Sequence, residues 1–528
     1  MVMVSMGIHK NRLRLNKFLF GTCVLTLSYG LIFARTADAF DWQLRPSISF
    51  SEMFSDNLAL SSIAKKSGFV TEVAPGLSLY GSSPWSNFNL DYRLQGLYNA
   101  GGRDAVDVNH QLQMNSLIQA VRDTLFLQTN SSISQQNISN SFMATDNLTG
   151  GRNRTETKSF GISPYWTPHF GQYAIGLFRV GYQNTSFDNS NFDNTISLNN
   201  FISDSETFSK QARLSSGTKF GVVKWNLNYS SQDQNRSSGS DVRFEQYQGD
   251  VRYYLNRKFN VFGIGGYENN DYQTLNNRLH NDFFYTIGGQ WSPSRWYSLE
   301  AGYGNNKHVT VQFSPSDQLT GVVTYRNKEV GLNIGNSWDV NINYRARQAA
   351  IGATYTQQTT TVQDYLLRQV NVFTLNNDGN LSPLGTFNLS LFVNDVIVTK
   401  QANLNFGYQT GKSYYNLSLY NTRRSYEQNP QQDDVYGATA SWQWQFAPRL
   451  NFYLRPTWQS TNTTNSSVSS GNDRYDVALG LTRAIPIDLG RPLMMNTRLE
   501  FRHISQISDS SAFSYNENRA TANFAVQF

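Results

Sequence analysis

Apolar and polar residues alternate one for one through most of this chain, and that period of two constrains the fold more than any other feature. Phe88, Leu90, Tyr92 and Leu94 alternate with Asn89, Asp91, Arg93 and Gln95. Trp225, Leu227 and Tyr229 alternate with Lys224, Asn226, Asn228 and Ser230. The pattern recurs with Leu299, Ala301 and Tyr303 against Ser298, Glu300, Gly302 and Gly304. It returns in Trp338, Val340, Ile342 and Tyr344, and in Ala438, Ala440, Trp442, Trp444 and Phe446. Successive side chains of a strand point to opposite faces, so each segment reads as a strand with one apolar and one polar face. The final stretch, 518–528, repeats it: Ala520, Ala522, Phe524, Val526 and Phe528 oppose Thr521, Asn523 and Gln527, with only Ala525 out of place.

Two architectures accept such strands: a soluble sandwich and a transmembrane barrel. The chain has 528 residues and a mean hydropathy of −0.48, yet 14% of it is aromatic. Beyond residue 39 it holds no apolar run near the roughly 18 residues that a membrane helix needs. A soluble chain of this length divides into domains with continuous apolar core segments. Neither such segments nor a linker are present. A barrel removes the difficulty, because only every second strand residue has to face lipid. Aromatic residues at the ends of the apolar faces suit the headgroup level.

Connection lengths favour the barrel further. Short connections fall at 81–84, 119–123, 167–171, 292–295, 410–412 and 447–449. Several carry an aromatic-x-Pro signature, as in Trp166-Thr167-Pro168, Trp291-Ser292-Pro293 and Phe446-Ala447-Pro448. Proline fits there because a turn need not donate its N–H to a ladder. Long polar connections fall at 136–155, 185–205, 269–281, 363–395, 460–472 and 505–515. Short turns on one side and long loops on the other is the outer-membrane arrangement, and it places both termini in the periplasm. The predicted fold is an all-β, antiparallel up-and-down barrel of about 22 strands, with 20 to 24 allowed. The stretch 309–336 is the ambiguous one, either a hairpin beyond the membrane or an extra strand pair.

The N-terminus supplies the route. His9, Lys10, Arg12, Arg14 and Lys17 precede an apolar segment, 18–33, and Ala37-Asp38-Ala39 is a small-x-small cleavage site. Residues 1–39 read as a cleaved signal peptide and 40–528 as a single barrel domain. The sole cysteine, Cys23, lies in the removed segment, so no disulfide or thiolate metal site is expected. The segment also carries Lys10, Arg12, Arg14, Lys17 and Arg35 against Asp38, a net of +4, which leaves +2 of the whole-chain +6. The basic isoelectric point therefore does not point to nucleic acid.

Seven stretches, spread over both ends and the middle, resemble one family. They are 67–76 (Ser-Gly-Phe-Val-Thr-Glu-Val-Ala-Pro-Gly), 90–95 (Leu-Asp-Tyr-Arg-Leu-Gln), 109–113 (Asn-His-Gln-Leu-Gln), 134–138 (Ser-Gln-Gln-Asn-Ile), 394–400 (Asn-Asp-Val-Ile-Val-Thr-Lys), 420–424 (Tyr-Asn-Thr-Arg-Arg) and 515–519 (Tyr-Asn-Glu-Asn-Arg). Jointly and in order they resemble the outer-membrane barrels associated with PEP-CTERM/exosortase systems and exopolysaccharide gene clusters. The resemblance implies a non-enzymatic barrel serving exopolysaccharide biosynthesis, export or cell-surface assembly. The implied partners are outer-membrane lipid, the barrel assembly machinery and exopolysaccharide or export-complex components. The stretch 309–335 departs from the pattern.

Chemistry is sparse. His503-Ile504-Ser505 puts a base and a hydroxyl on one strand face and resembles the His-x-Ser of outer-membrane lipid A deacylases, but Gln506-Ile507 replaces what should follow. His9, His110, His169, His280 and His308 lack metal-ligand spacing, and no cofactor motif occurs. The loop 363–395 mixes Val370, Val372, Phe373 and Leu375 with Asp364, Arg368 and Asp378, so it either folds into the lumen as a constriction or lies over the mouth as a lid. Arg93, Arg345, Arg347, Arg423 and Arg424 are candidates for the lumen or its rims and for contact with an acidic glycan. Phe524, Val526 and Phe528 read as the assembly signal. A general diffusion channel and a surface-binding or adhesion barrel remain alternative readings, with an acyl hydrolase the remotest.

Overall fold

The computed structural model describes residues 41–528 apart from 101–105, 138–145, 150–153, 189–201, 276–278, 370–372, 376–380, 384–392, 466–467, 489 and 491. The expected signal segment, with its cleavage residues Ala37 and Ala39, lies outside the described residues. Among those described, every strand of the main sheet pairs antiparallel with its neighbours in chain order, and the sheet closes on itself. The short piece His169–Phe170 continues the strand Arg154–Trp166 past Thr167 and Pro168 and pairs with the same neighbour, Ala174–Phe187. Without it, the sheet's 25 segments make a wall of 24 strands.

The seam lies between the first strand, Asp41–Ser55, and the last, Tyr515–Gln527. It runs from Ser47↔Gln527 to Ser55↔Arg519, so no sheet edge is left unpaired. Apolar side chains cover the outside: Leu227, Ile287, Leu299, Tyr303 and Phe524 are all exposed there. Polar ones line the inside, where Glu72, Gln95, Arg424, Asp433, Glu517 and Arg519 are buried. This inversion of an ordinary globular protein is what lipid outside and water inside demand. Exposed aromatics form two belts: Trp42, Trp85, Trp166, Trp291 and Trp444 at one end, Phe54, Tyr98, Phe208, Tyr247 and Tyr436 at the other. The molecule is a transmembrane barrel.

The expected 22 strands fall two short. The extra pair is Asn306–Ser316 and Leu319–Lys328, in the stretch left ambiguous above. Both are wall strands, paired to Tyr297–Gly304 on one side and Gly335–Arg345 on the other. The double valine hid the period: Val323 lies opposite the outward Val311, while Val322 lies opposite Gln312 on the other face. The alternation of connection lengths is also looser than expected. Residues 460–472 are mostly wall, because Leu450–Asn465 and Val468–Asp488 stay paired up to Asn465↔Val468. Tyr297–Gly304 and Asn306–Ser316 are joined at the long-loop end by Asn305 alone. At the short-turn end, Asp123 and Arg449 adopt φ of 55° and 60°, the left-handed turn conformation that non-glycine residues seldom take.

Candidate functional site in the barrel interior

A ring of 24 strands encloses more space than its wall side chains fill. Among the described residues, two of the chain segments that enter that space carry polar networks. The first is the helix Val362–Gln369, which follows directly on the strand Ala349–Thr361. Thr361 starts it as an N-cap, its Oγ1 accepting the Asp364 N–H at 3.3 Å. Val362, Tyr365 and Leu366, at helical spacing, form one apolar face packed in a cluster with Phe187, Ile202, Ile397 and Tyr426. Phe187 and Tyr426 end strands that stand twelve positions apart in the ring, so this cluster spans the interior.

Polar contacts hold the helix on the same two sides. Asp364 accepts a hydrogen bond from Gln232, and Gln363 donates to Asn394 at 2.8 Å. Arg236 donates to the Asp395 carbonyl at 3.1 Å. Asp395 in turn accepts from the Gln428 N–H at 3.0 Å and from Asn429 at 3.0 Å. Burial nonetheless pushes its carboxyl above the ordinary aspartate value. Below the helix, Asp364 and Leu367 roof a polar cavity of about 180 Å³. Its floor is made by Asn130, Gly161, Ser163, Gly181, Thr207 and Ser209. Side chains that small leave the room.

The second segment is Asp146–Thr149. Asp146 receives Arg519 through both oxygens, at 2.7 and 3.0 Å, and Thr149 accepts from Arg519 at 3.1 Å. Asn147 donates to Gln95 at 2.7 Å, and Leu148 packs against Met53, Val70 and Leu97. Burial pushes the Asp146 carboxyl up, but Arg519, with Arg502 and Arg154 behind it, outweighs this and holds it below its ordinary value. Arg519 also donates to Glu517 at 2.9 Å, and Glu517 accepts the Ser55 hydroxyl at 2.7 Å. Next to this network Glu72 receives both Arg93 and Gln95. Glu72, Arg93, Gln95, Glu517 and Arg519 all come from the stretches that carried the family resemblance, and the fold gathers them on one side of the lumen.

The five candidate arginines do not form one site. Arg93 faces inward on Glu72, and Arg424 is 1% exposed beside the equally buried Asp433. Arg423 is on the other face of its strand, paired with Asp434 at 2.6 Å, and so points away from the lumen. Arg345 and Arg347 are exposed at a short turn, on the rim. Of the terminal residues, Phe524 and Val526 stand opposite Phe50 and Ile48 at the seam, and Phe528 donates its N–H to the Pro46 carbonyl at 2.8 Å. His503 and Ser505 lie on the outer face, where His503 bonds to Asn518 at 2.7 Å rather than to Ser505.

What the sequence reading passed over is a run of inward charges on the wall beside the seam. Arg455, Arg474, Asp476, Arg498, Glu500, Arg502, Glu517 and Arg519 share the inner face of four successive strands. The signal was present as charge at period two, in Arg498-Leu499-Glu500-Phe501-Arg502 and Arg474-Tyr475-Asp476.

No protein-family model and no curated protein matches the chain. Among solved structures, it is similar to a mutant of the ferric enterobactin receptor PfeA from Pseudomonas aeruginosa, at 10% identity and a TM-score of 0.44, over 92% of this chain and 80% of that one. It is similar to the siderophore receptor PirA from Acinetobacter baumannii at 9% and 0.44, with the same coverage. The FrpB iron transporter from Neisseria meningitidis (F5-1 variant) gives 12% and 0.44, over 92% and 82%. Likeness at this level carries no argument about cargo.

Proposed function

We propose that the protein is a non-enzymatic outer-membrane conduit, constricted from within, that acts in exopolysaccharide export or cell-surface assembly. The observation that carries the conduit reading is the helix Val362–Gln369, packed between strands on opposite sides of a closed, polar-lined ring. The link to exopolysaccharide is supported by the family resemblance alone. On this reading the short turns are periplasmic and the long loops external.

The test is bilayer conductance of the folded barrel beside a variant in which 362–395 is replaced by Asn-Gly. The pairing Thr361↔Val396 permits so tight a turn. Small or absent native currents, with large steady ones in the variant, are expected. Equal conductance of the two proteins would remove the constriction.

A further inference from the structure

The polar cavity under the helix Val362–Gln369 rests on two adjacent rungs of the wall. In one, Asn130 stands opposite Gly161, Gly161 opposite Gln183, and Gln183 opposite Thr207. In the next, Gly181 stands opposite Ser209, and Ser209 opposite Gln232. Ser163 lies two residues past Gly161 and so on the same face. The glycines make the room. A Cβ on Gly161 would sit 2.6 Å from the Asn130 amide oxygen. One on Gly181 would run into the Ser209 hydroxyl and lie 2.9 Å from that of Ser163. With glycine at both positions, all three polar groups line the cavity.

Most of the hydrogen-bonding capacity of this lining is unspent. The side chains of Asn130, Ser163, Thr207 and Ser209 make no hydrogen bond among the described residues. Each of them both donates and accepts. A cavity of about 180 Å³ with such walls holds several waters, which ligand hydroxyls replace group for group. The roof adds two contacts of different kinds. Asp364 and Leu367 are three apart, on one side of the helix, and are the half-buried residues of its stretch 362–367. Asp364 is the only charged residue of the lining, and its carboxylate has lone pairs beyond the one that Gln232 uses. Arg179, next inward along the strand from Gly181, is stacked over the Tyr165 ring, 4.6 Å from its centroid, and is not part of the lining.

We infer that this cavity is a subsite for one neutral sugar residue of a glycan, held between the helix and the wall. A carboxylate with no cation beside it in the lining repels an anionic ligand. Walls made of hydroxyls and amides would lose their water to an apolar ligand and gain nothing in exchange. A neutral polyhydroxylated ring meets both conditions. Its hydroxyls pair with Asn130, Ser163, Thr207 and Ser209, neighbouring hydroxyls donate to Asp364, and one C–H face lies on Leu367. The inference rests on the conduit reading for the glycan, and adds that the cargo is uncharged where it meets the helix.

The test uses the folded barrel in a zwitterionic detergent, since sugar-headed detergents would compete. Saturation-transfer NMR reads binding of the methyl glycosides of glucose, galactose and mannose, beside methyl glucuronide and methyl glucosaminide. Binding of a neutral glycoside is expected, without binding of the glucuronide. Asn130→Ala/Ser209→Ala, with folding checked by heat-modifiable gel mobility, should weaken that binding by about tenfold, the worth of the lost hydrogen bonds. Gly181→Val should abolish it by filling the room and displacing two hydroxyls. Asp364→Asn should admit the glucuronide. Binding of no neutral glycoside, or binding that both cavity variants leave unchanged, would overturn the subsite. A glucuronide or glucosaminide bound more tightly than every neutral glycoside would overturn the neutral sugar as its ligand. A barrel silent in bilayers even with 362–395 replaced, whose glycoside binding still depends on Asn130 and Ser209, would overturn the conduit and leave the subsite standing.

Discussion

Arg519 offers the most quantitative test of how the interior is held together. It is 3% exposed and its partner Glu517 is 0% exposed. Replacing it by Met preserves most of the volume but leaves Glu517 buried with only the Ser55 hydroxyl as a donor. Removing one partner of a buried ion pair costs about 3–5 kcal/mol, because the remaining charge has lost its compensation. Asp146, being a third exposed, keeps enough water to add little. Arg519→Met should therefore lower unfolding free energy by about 3–5 kcal/mol relative to wild type at pH 7. Adding Glu517→Gln should recover most of the loss at pH 7. Reversible denaturant unfolding in lipid vesicles measures all three proteins. A loss below about 1 kcal/mol at pH 7, or a double variant as unstable as the single one, would refute the reasoning.

Three further outcomes follow from the same contacts. The Asp146 carboxyl is held below its ordinary value, so its contribution is fully present above about pH 4 and is lost as pH falls through its lowered value. Hydrogen exchange over 146–149 should stay slow from neutral pH down to about 4 and accelerate below it; acceleration already near pH 6 would contradict the pairing. In the helix, Tyr365→Ala and Leu366→Ala each open a cavity in the cluster around Phe187 and Tyr426 at a local cost of about 2–5 kcal/mol. Both should raise bilayer conductance with little change in global unfolding; an unchanged conductance would free the helix of any constricting role. Phe528→Ser should cut the yield of barrel assembled in cells several-fold while changing stability in vitro by less than about 1 kcal/mol, since Phe528 is exposed. Equal yields would remove it from the assembly signal.

The wall was legible because lipid and water impose opposite demands on adjacent residues. Leu227 and Asn228, or Phe501 and Arg502, announce the two faces without any knowledge of their neighbours. The interior was less legible, since polarity on the inner face is common to every strand. Arg93 and Arg423 look alike in sequence, yet one lies in the lumen and the other outside, because each follows the parity of its own strand. Arg423 and Arg424 are adjacent, so one of them had to point outward. The docking of Asp146 on Arg519 spans 373 residues of sequence and leaves no periodic trace. The helix Val362–Gln369 was hidden in a polar loop, although Thr361 and the spacing of Val362, Tyr365 and Leu366 were there to be read.

The seam has a kinetic consequence. Its contacts join residues as far apart as Ser55 and Glu517, 462 positions along the chain, so they are among the most non-local the molecule contains. Hairpins elsewhere in the wall form between sequence neighbours and can accumulate as the chain is delivered, whereas this pairing must wait for the final strand. Until then both terminal strands expose unpaired edges that are open to the wrong partner. The Ser55–Glu517–Arg519–Asp146 network sits at that last joint, so it acts as a latch that sets only once the circle is whole. A chain that stalls before Tyr515 lacks the latch as well as the strand, and an incomplete barrel is thereby distinguishable from a finished one.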